Sequence, residues 1–554
     1  MAKQTIKDIW NKKQQCFYVY NQTCYWDSQK KQARYKRKLI GKRKTKNDVI
    51  SYNAQYRLMK LLKEKQQDTE AQTPTVIKDH QQKDTKALID LHDDSLVLTS
   101  LGPKLIFEKY IHSYKLRTFL VKAMGKEDAE LILAIALANI CTNQAYSWSY
   151  SWLEFHGFNQ YKSITSQRIS ELCERIDENK IIAFLRLWLR AHACTKGYFC
   201  WDSTNIKSQC NNDYQVQKGY THQHEQIPQK NLAVLSSQNY NVPVWYELYE
   251  GATNDCNTIT DLSNILHQII TTPLCFVLDR GYFSDTNFHQ ITSQSDKFLI
   301  PIPNSSSLKD KYIQKNKEKI KLSTSQLKVY DSKGKVKYLQ GCTSTFVKEH
   351  HRYWVHVYFN TREKAKSDNN FNILMGTLRE ELKTQKLKSQ NKKLYDQFFT
   401  YHKTTKHKMS VKDNIKEQEA YKNRYSGYWC LYTNAEKNAA KAYEVYANRN
   451  TAERMFDVYK NEIDGRTERS HSNKTHEGRS FILFIELILL NLFKNDLEKH
   501  QHALKEAKVK NYHEIINRME SLVACYSSLS GDVVYKNPNK FQRIILKVLD
   551  LTWG

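Results

Sequence analysis

Two acidic residues and one spaced quartet are the residues of this chain whose types and positions could do chemistry. Asp202 closes the apolar run Tyr198-Phe-Cys-Trp-Asp202, and Asp279 closes a second run, Leu274-Cys-Phe-Val-Leu-Asp279. Strand ends line the active crevice of α/β sheets, so the two carboxylates are expected to converge there. An ionised acid in such a place needs a cation to offset its desolvation. Either Asp alone reads as well as a helix cap or a satisfied structural acid. The quartet is Tyr446, Arg449, Glu453 and Lys460, spaced by 3, 4 and 7 residues. At about 100° per residue the four fall within a stripe roughly 60° wide on one helix. Ala452, Phe456, Tyr459 and Ile463 make the neighbouring apolar face, which can pack onto a sheet. The spacing by itself also describes an exposed helix held by an Arg449–Glu453 ion pair.

The elements that must position these residues follow in order along the chain, and the expected fold class is α/β. Residues 1–62 read as a basic, β-rich DNA-binding module, with Cys16-Phe-Tyr-Val-Tyr20 and Cys24-Tyr-Trp26 as strands. Residues 63–90 are a polar linker. Residues 91–192 are a helical domain, in which 131–140 is apolar nearly all round and a helix opens on the capping-type Ser166. Residues 193–302 hold strands ending at Asp202 and Asp279 and three more around 231–235, 243–249 and 297–302, with helices between. Residues 303–425 interrupt that rhythm as an inserted basic domain, strand-like at first and helical from about Asn370. Residues 426–475 resume the sheet with a strand at 427–432 and a single long helix at about 435–463. Residues 476–554 are helical.

Charge sharpens the reading. The chain has 554 residues, 40% of them apolar, and a formal net charge of +28. That length suits two to four domains, and the basic excess suits a polyanionic partner. The excess is concentrated. Residues 1–60 hold sixteen Lys/Arg against three Asp/Glu, and residues 301–430 hold twenty-eight against twelve. Two basic appendages therefore carry the phosphate-binding charge, which points to nucleic acid and not to a membrane. No apolar run follows the first charges as in a signal peptide, and the longest apolar stretch, 481–493, is broken by Glu486 and Asn491. It reads as a buried helix, too short to span a bilayer. The 12 cysteines include no C-x-x-C pair and read as reduced thiols of a cytoplasmic protein.

Tyr446, Arg449, Glu453 and Lys460 complete a Y-x2-R-x3-E-x6-K pattern, and the chain resembles the DDE-type bacterial insertion-sequence transposases of the insertion-sequence-four type, whose signature this is. The flanks are similar too. Trp201-Asp-Ser-Thr204 resembles the first-acid motif, and Phe276-Val-Leu-Asp-Arg-Gly-Tyr-Phe-Ser284 the second. Gly251-Ala-Thr-Asn-Asp255 resembles the Gly-Asn-x-x-Asp element, with Ala252 and Thr253 in place of Gly-Asn. Asp464-Gly-Arg466, Glu477-Gly-Arg-Ser-Phe-Ile482 and Tyr35-Lys-Arg-Lys-Leu-Ile-Gly41 are similar to further segments of the group, so the likeness covers about residues 15–50 and 195–490. The resemblance implies an RNase H-like catalytic core interrupted by a β-rich insertion. It implies that Asp202, Asp279 and Glu453 are the catalytic acids and hold Mg2+, which Mn2+ can replace. It implies that Tyr446, Arg449 and Lys460 grip DNA phosphates. The partners implied are double-stranded DNA, as terminal inverted repeats and as target, and a second copy in a homodimeric synaptic complex. The reaction implied is strand cleavage and strand transfer through a hairpin, in the bacterial cytoplasm at the nucleoid. A nuclease that cuts without joining shares the same acids. A domesticated DNA-binding protein has no reason to retain them all.

One more residue belongs with these. Arg352, Trp354, His356 and Tyr358 alternate along a strand and share a face. That face reads as amphipathic, which suits stacking of an unpaired base on Trp354, the role that the resemblance gives to an aromatic of the insertion. The alternative is that Trp354 packs on the sheet beneath it.

Overall fold

From Cys16 to Arg43, β-forming aromatics alternate with polar and cationic residues, and the chain folds there into long strands. β1 (Gln4–Asn11), β2 (Cys16–Asp27), β3 (Gln32–Arg43) and β4 (Ser51–Tyr52) form one antiparallel sheet in sequence order. Most of the cationic run after Lys30 lies along β3, and Arg43 reaches across to pair with Asp8. The computed structural model describes residues 4–11, 16–27, 32–43, 45, 50–52 and 96–553, apart from 162–163, 193–196, 209, 211–214, 221–225, 254–255, 257, 332–333, 405–408, 469, 471 and 528–532. The segment read as a linker, 63–90, and Asp255 lie outside the described residues. Residues 1–98 with 523–536 form one compact unit, and 99–522 with 537–554 form another.

After β5 (Leu96–Ser100), six α-helices occupy most of the described residues up to His192. Residues 131–140 are all buried within the helix Lys126–Thr142, as their unbroken apolar character requires. The helix Ser166–Arg175 is capped one residue earlier than the sequence suggests: Thr165, not Ser166, accepts from the Arg168 amide. The apolar stretch 481–493 lies buried inside the helix Asn473–Lys499, and none of the described helices is long and apolar enough to cross a membrane. Its Glu486 is fully buried between Tyr146 Oη (2.7 Å) and Asn139 Nδ2 (2.6 Å), and burial pushes its carboxyl up to about 8.

The site rests on a ten-stranded mixed sheet. One half of it is built from β6 (Tyr198–Lys207), β7 (Gln217–Tyr220), β8 (Gln226–Ser237), β9 (Val242–Glu250), β10 (Cys275–Val277) and β11 (Lys297–Pro301). Five of them run in the spatial order β9-β8-β6-β10-β11. β8 is antiparallel to both its neighbours, whereas β10 is parallel to β6 and to β11. β10 and β11 are short and mostly apolar because helices cover both faces.

Beyond β11 come β12 (Gln326–Tyr330), β13 (Val336–Lys348), β14 (His351–Phe359), the hairpin β15 (Phe399–Lys403) and β16 (Met409–Asp413), and β17 (Tyr428–Thr433). β17 pairs with β11 on one side and β14 on the other, so β12 to β14 prolong the main sheet. Of the strands of the inserted stretch, β12 to β14 thus share the hydrogen-bonded frame of the core, while β15 and β16 pair with each other in a separate sheet. The helical half of that stretch does have a small core of its own, built from Phe371, Met375, Leu378, Leu382, Tyr395, Phe398, Phe399 and Val411. The chain ends with the antiparallel pair β18 (Val523–Ser527) and β19 (Val533–Tyr535) and the helix Lys540–Val548.

Candidate active site

The register of two parallel strands brings the first two acids level. Cys275, Phe276 and Val277 pair with Tyr198, Phe199 and Cys200, and continuing that register sets Asp279 opposite Asp202. Cys200 and Val277 lie in one buried cluster while Trp201 and Leu278 lie in the other, so Asp202 and Asp279 share a sheet face. Asp202 does not end its strand: β6 runs on to Lys207 along antiparallel β8. It is β10 that stops, after Val277, which opens the sheet on one side of Asp202. Asp279 then turns the chain, accepting from the Arg280 amide at 2.7 Å. Ser284 accepts from the Asn287 amide and starts the helix Asp285–Ser293. Trp201 is buried beneath, its indole N–H donating to Thr258 Oγ1 at 2.9 Å.

The third acid arrives from a bent helical segment. The expected single helix is two, Ala439–Ala447 and Asn450–Asn461, because the Arg449, Thr451 and Ala452 amides donate three residues back, to Tyr446, Asn448 and Arg449 O, instead of continuing the α pattern. Ala442 and Val445 of the first helix and Ala452 of the second pack on Cys200, Val277 and Leu299 of the sheet. Gln238 ties the joint down, donating to Val445 O at 3.0 Å and to Cys200 Sγ at 3.1 Å. The face formed by Ala452, Phe456, Tyr459 and Ile463 is buried, as its spacing requires.

Arg449 is the centre of the arrangement. One terminal nitrogen donates to Asp202 Oδ2 at 2.9 Å and the other to Glu453 Oε1 at 2.7 Å. The Arg449 and Asp202 side chains are only 12% and 18% exposed, whereas Glu453 is 58% exposed. Burial works against the Arg449 charge, but the negative fields of Tyr446, Asp202, Asp279 and Glu453 outweigh it and raise its pKa. The Tyr446 ring lies 5.8 Å from the guanidinium carbon. Burial pushes the Tyr446 hydroxyl up to about 12; Arg449 opposes that shift, while Asp279 and Asp202 add to it. Five of the sequence-selected residues, Asp202, Asp279, Tyr446, Arg449 and Glu453, therefore sit in one electrostatic cluster. Lys460 lies two helical turns from Glu453, on the order of 10 Å along the axis, and beside Lys207 and Arg466. Among the described residues no three His, Cys, Asp or Glu side chains gather as a metal-binding group. Arg449 instead bridges Asp202 and Glu453, with Asp279 contributing to the negative field around it.

Trp354 is not brought to the acids. It pairs with Thr433, which pairs with Leu299, so it lies four strands from β6, about 19 Å across the sheet. Its stripe is a core face over half its length. His356 and Tyr358 are fully buried. His356 binds Thr343 Oγ1 and Glu436 O, both at 2.9 Å, and Tyr358 donates to Ala439 O at 2.7 Å and stacks on Trp429. Trp354 itself is half-buried. Two residues that carry the architecture gave no signal in the sequence: Gln238, which follows a strand as an ordinary polar residue, and Lys207, which lies beyond the acid on β6.

Comparison with known proteins bears on this arrangement. A cryo-EM structure of the piggyBac transposase synaptic complex with hairpin DNA aligns with a TM-score of 0.33 at 10% identity, over 76% of this chain and 79% of that one. No curated protein matches. The family described as the transposase DDE domain matches residues 195–492, a stretch that holds all three acids and more than half of the chain. The chain therefore belongs to the transposase DDE domain family.

Proposed function

We propose that this member of the family is the transposase of an insertion sequence, which binds the double-stranded ends of its element, cuts them and joins them to target DNA. Asp202, Asp279 and Glu453 are its catalytic acids. The observation that carries the reading is the convergence of Asp202 and Asp279 on one sheet face with Glu453 linked to Asp202 through Arg449. The strand order β9-β8-β6-β10-β11, antiparallel in its first half and parallel in its second, supports an RNase H-like core. The Y-R-E-K residues, complete in this chain, support placing it in the insertion-sequence-four type group.

The three acids offer only oxygen donors, the set that suits a hard divalent cation such as Mg2+ or Mn2+. Bound to Asp202, Asp279 and Glu453, such a cation supplies activation of the attacking hydroxyl and neutralisation of the leaving 3′-oxygen. The chain's own residues prepare that chemistry. Arg449 holds Asp202 and Glu453 on its two terminal nitrogens in the absence of DNA. A backbone phosphate competes for the same guanidinium fork, so arriving DNA draws Arg449 onto the scissile strand and frees both carboxylates. Tyr446 and Lys460 hold phosphates on either side, fixing the reacting phosphorus over the acids. The cationic β3 of the N-terminal sheet and the basic inserted stretch bind the remainder of the end, and two copies act together across paired ends.

The test is a reaction with purified chain, Mg2+ and linear DNA bearing the two ends of the element that encodes it. Excised and joined products are expected, with hairpin ends as intermediates. Cutting without any joined product reduces the activity to that of a nuclease, and no cutting at all overturns the reading.

A further inference from the structure

The tight turn after the glutamate helix builds something that the helix alone does not. Asp464 adopts a left-handed conformation (φ 59°), and the Gly465 amide donates to Tyr459 O at 2.8 Å. A Cβ on Gly465 would come within 2.3 Å of the Tyr459 ring, so only glycine turns the chain there. The chain then runs back beside the last residue of β6. The Lys207 amide donates to Arg466 O at 3.1 Å, the Glu468 amide donates to Lys207 O at 2.7 Å, and Lys207 bridges to Thr467 in parallel.

This backbone splice gathers cations. Arg466 donates to Asn461 Oδ1, which holds its guanidinium over the last helical turn next to Lys460. Lys207 and Arg466 are exposed and Lys460 is half-buried. Burial, then the charges of Arg466 and Lys207, lower the Lys460 pKa, so the three lie within one another's fields. Among the described residues none of the three has a carboxylate partner. The nearby acids are engaged elsewhere: Glu468 points inward to His476 at 2.9 Å, and Asp457 takes the Asn461 amide at 2.6 Å. Three cations held together without an acid are mutually repulsive, and an anion shared among them relieves that repulsion.

We infer that Lys207, Lys460 and Arg466 form a second clamp for a DNA backbone phosphate, separate from the one at Arg449. The inference rests on the proposed function and deepens it. The clamp lies about 10 Å from Glu453 along the helix and about 17 Å from Asp202 along β6. At one phosphate per roughly 3.4 Å of each strand, it takes a phosphate about three to five nucleotides from the one that is cut. It fixes the strand's direction as well as its position, because two clamps at a set separation define a line.

Lys207→Gln and Arg466→Gln test it, alone and combined, in the full chain, with a duplex carrying the element's terminal sequence as the probe. The double variant is expected to melt at the wild-type temperature and to lower the slope of log affinity against log salt by about 0.9, the value for one lost phosphate contact. A single neutral methylphosphonate scanned along the strand should weaken wild-type binding most at one position about three to five nucleotides from the cut. That sensitivity should vanish in the double variant and return in Arg466→Lys, which restores the charge. An unchanged salt slope, or a methylphosphonate profile identical in wild type and variant, overturns the clamp. If the duplex is bound with the expected slopes but never cut, the clamp stands and the catalytic reading falls. If the wild type does not bind the duplex, both fall.

Discussion

On the glutamate helix a basic side chain sits between two carboxylates; on β14 a basic side chain sits between a threonine hydroxyl and a backbone carbonyl. Arg449 is charged, and the acids around it favour that charge. His356 is fully buried, and burial lowers its pKa. Both lie in a stripe of polar and aromatic residues on one face of an element. What separates them is what lies opposite. The helix Asn450–Asn461 presents Glu453 where β10 has ended, and that carboxylate stays 58% exposed. β14 presents its stripe to the segment 433–447, which closes over it with backbone carbonyls at Glu436 and Ala439. Shared periodicity fixes a face, and the neighbouring element decides whether that face becomes a site or a core.

The comparison breaks first at the acids. Asp202→Ala, Asp279→Ala or Glu453→Ala should lower end cleavage by about a thousandfold or more, equivalent to roughly 4 kcal/mol of barrier, with end binding nearly unchanged in a gel-shift assay. Cleavage within tenfold of wild type by any one variant removes that residue from the triad. On the covered face the same kind of truncation should strike stability instead. Tyr358→Ala removes a fully buried ring that stacks on Trp429 and donates to Ala439 O. It should cost about 3–5 kcal/mol in denaturant unfolding, and cleavage per folded molecule should persist. Arg449→Ala lies between these cases. It should slow single-turnover cleavage by about a hundredfold, as loss of one preorganised donor does, and weaken binding far less. A loss of affinity that accounts for the whole rate effect would make Arg449 a plain ion-pair residue.

How much of this was legible beforehand follows from the same contrast. The strands at Asp202 and Asp279 were readable because short apolar runs mark buried parallel strands. The apolar face of Ala452, Phe456, Tyr459 and Ile463 was readable from its period. The extension of β6 past Asp202 was not, because Ser203 to Lys207 are held by pairing with β8, including Asn205 with Asn231, and their composition carries no strand signal. The joint at Asn448–Arg449 was hidden because a break of one turn barely disturbs a helical period. Membership of β12 to β14 in the main sheet depends on β17, some seventy residues away from β14 in sequence. Lys207 and Arg466 meet only through a backbone bridge between segments 260 residues apart, and no spacing rule reaches that far.

Trp354 carries the smallest expected effect and sharpens the comparison most, because it stands at the uncovered end of the covered stripe. Its neighbours two and four residues on, His356 and Tyr358, are sealed in the core, while Arg352 two residues before is exposed. The indole there is half-buried, between the exposed and the sealed ends of the stripe. If it only packs, Trp354→Ala costs about 1–2 kcal/mol of stability, a fraction of full burial, and nicking and hairpin formation fall in parallel or not at all. If it receives an unpaired base, the same variant melts nearly as the wild type and nicks the first strand normally. It then forms few hairpins, losing about 1–3 kcal/mol of stacking, and an abasic site at the flipped position partly restores them. The distance of about four strand spacings from β6 favours the packing outcome within one copy of the chain. A stacking outcome would therefore place the base over the far edge of the sheet, and a cross-linkable base analogue at the flipped position should then attach to Trp354 and not to Tyr446.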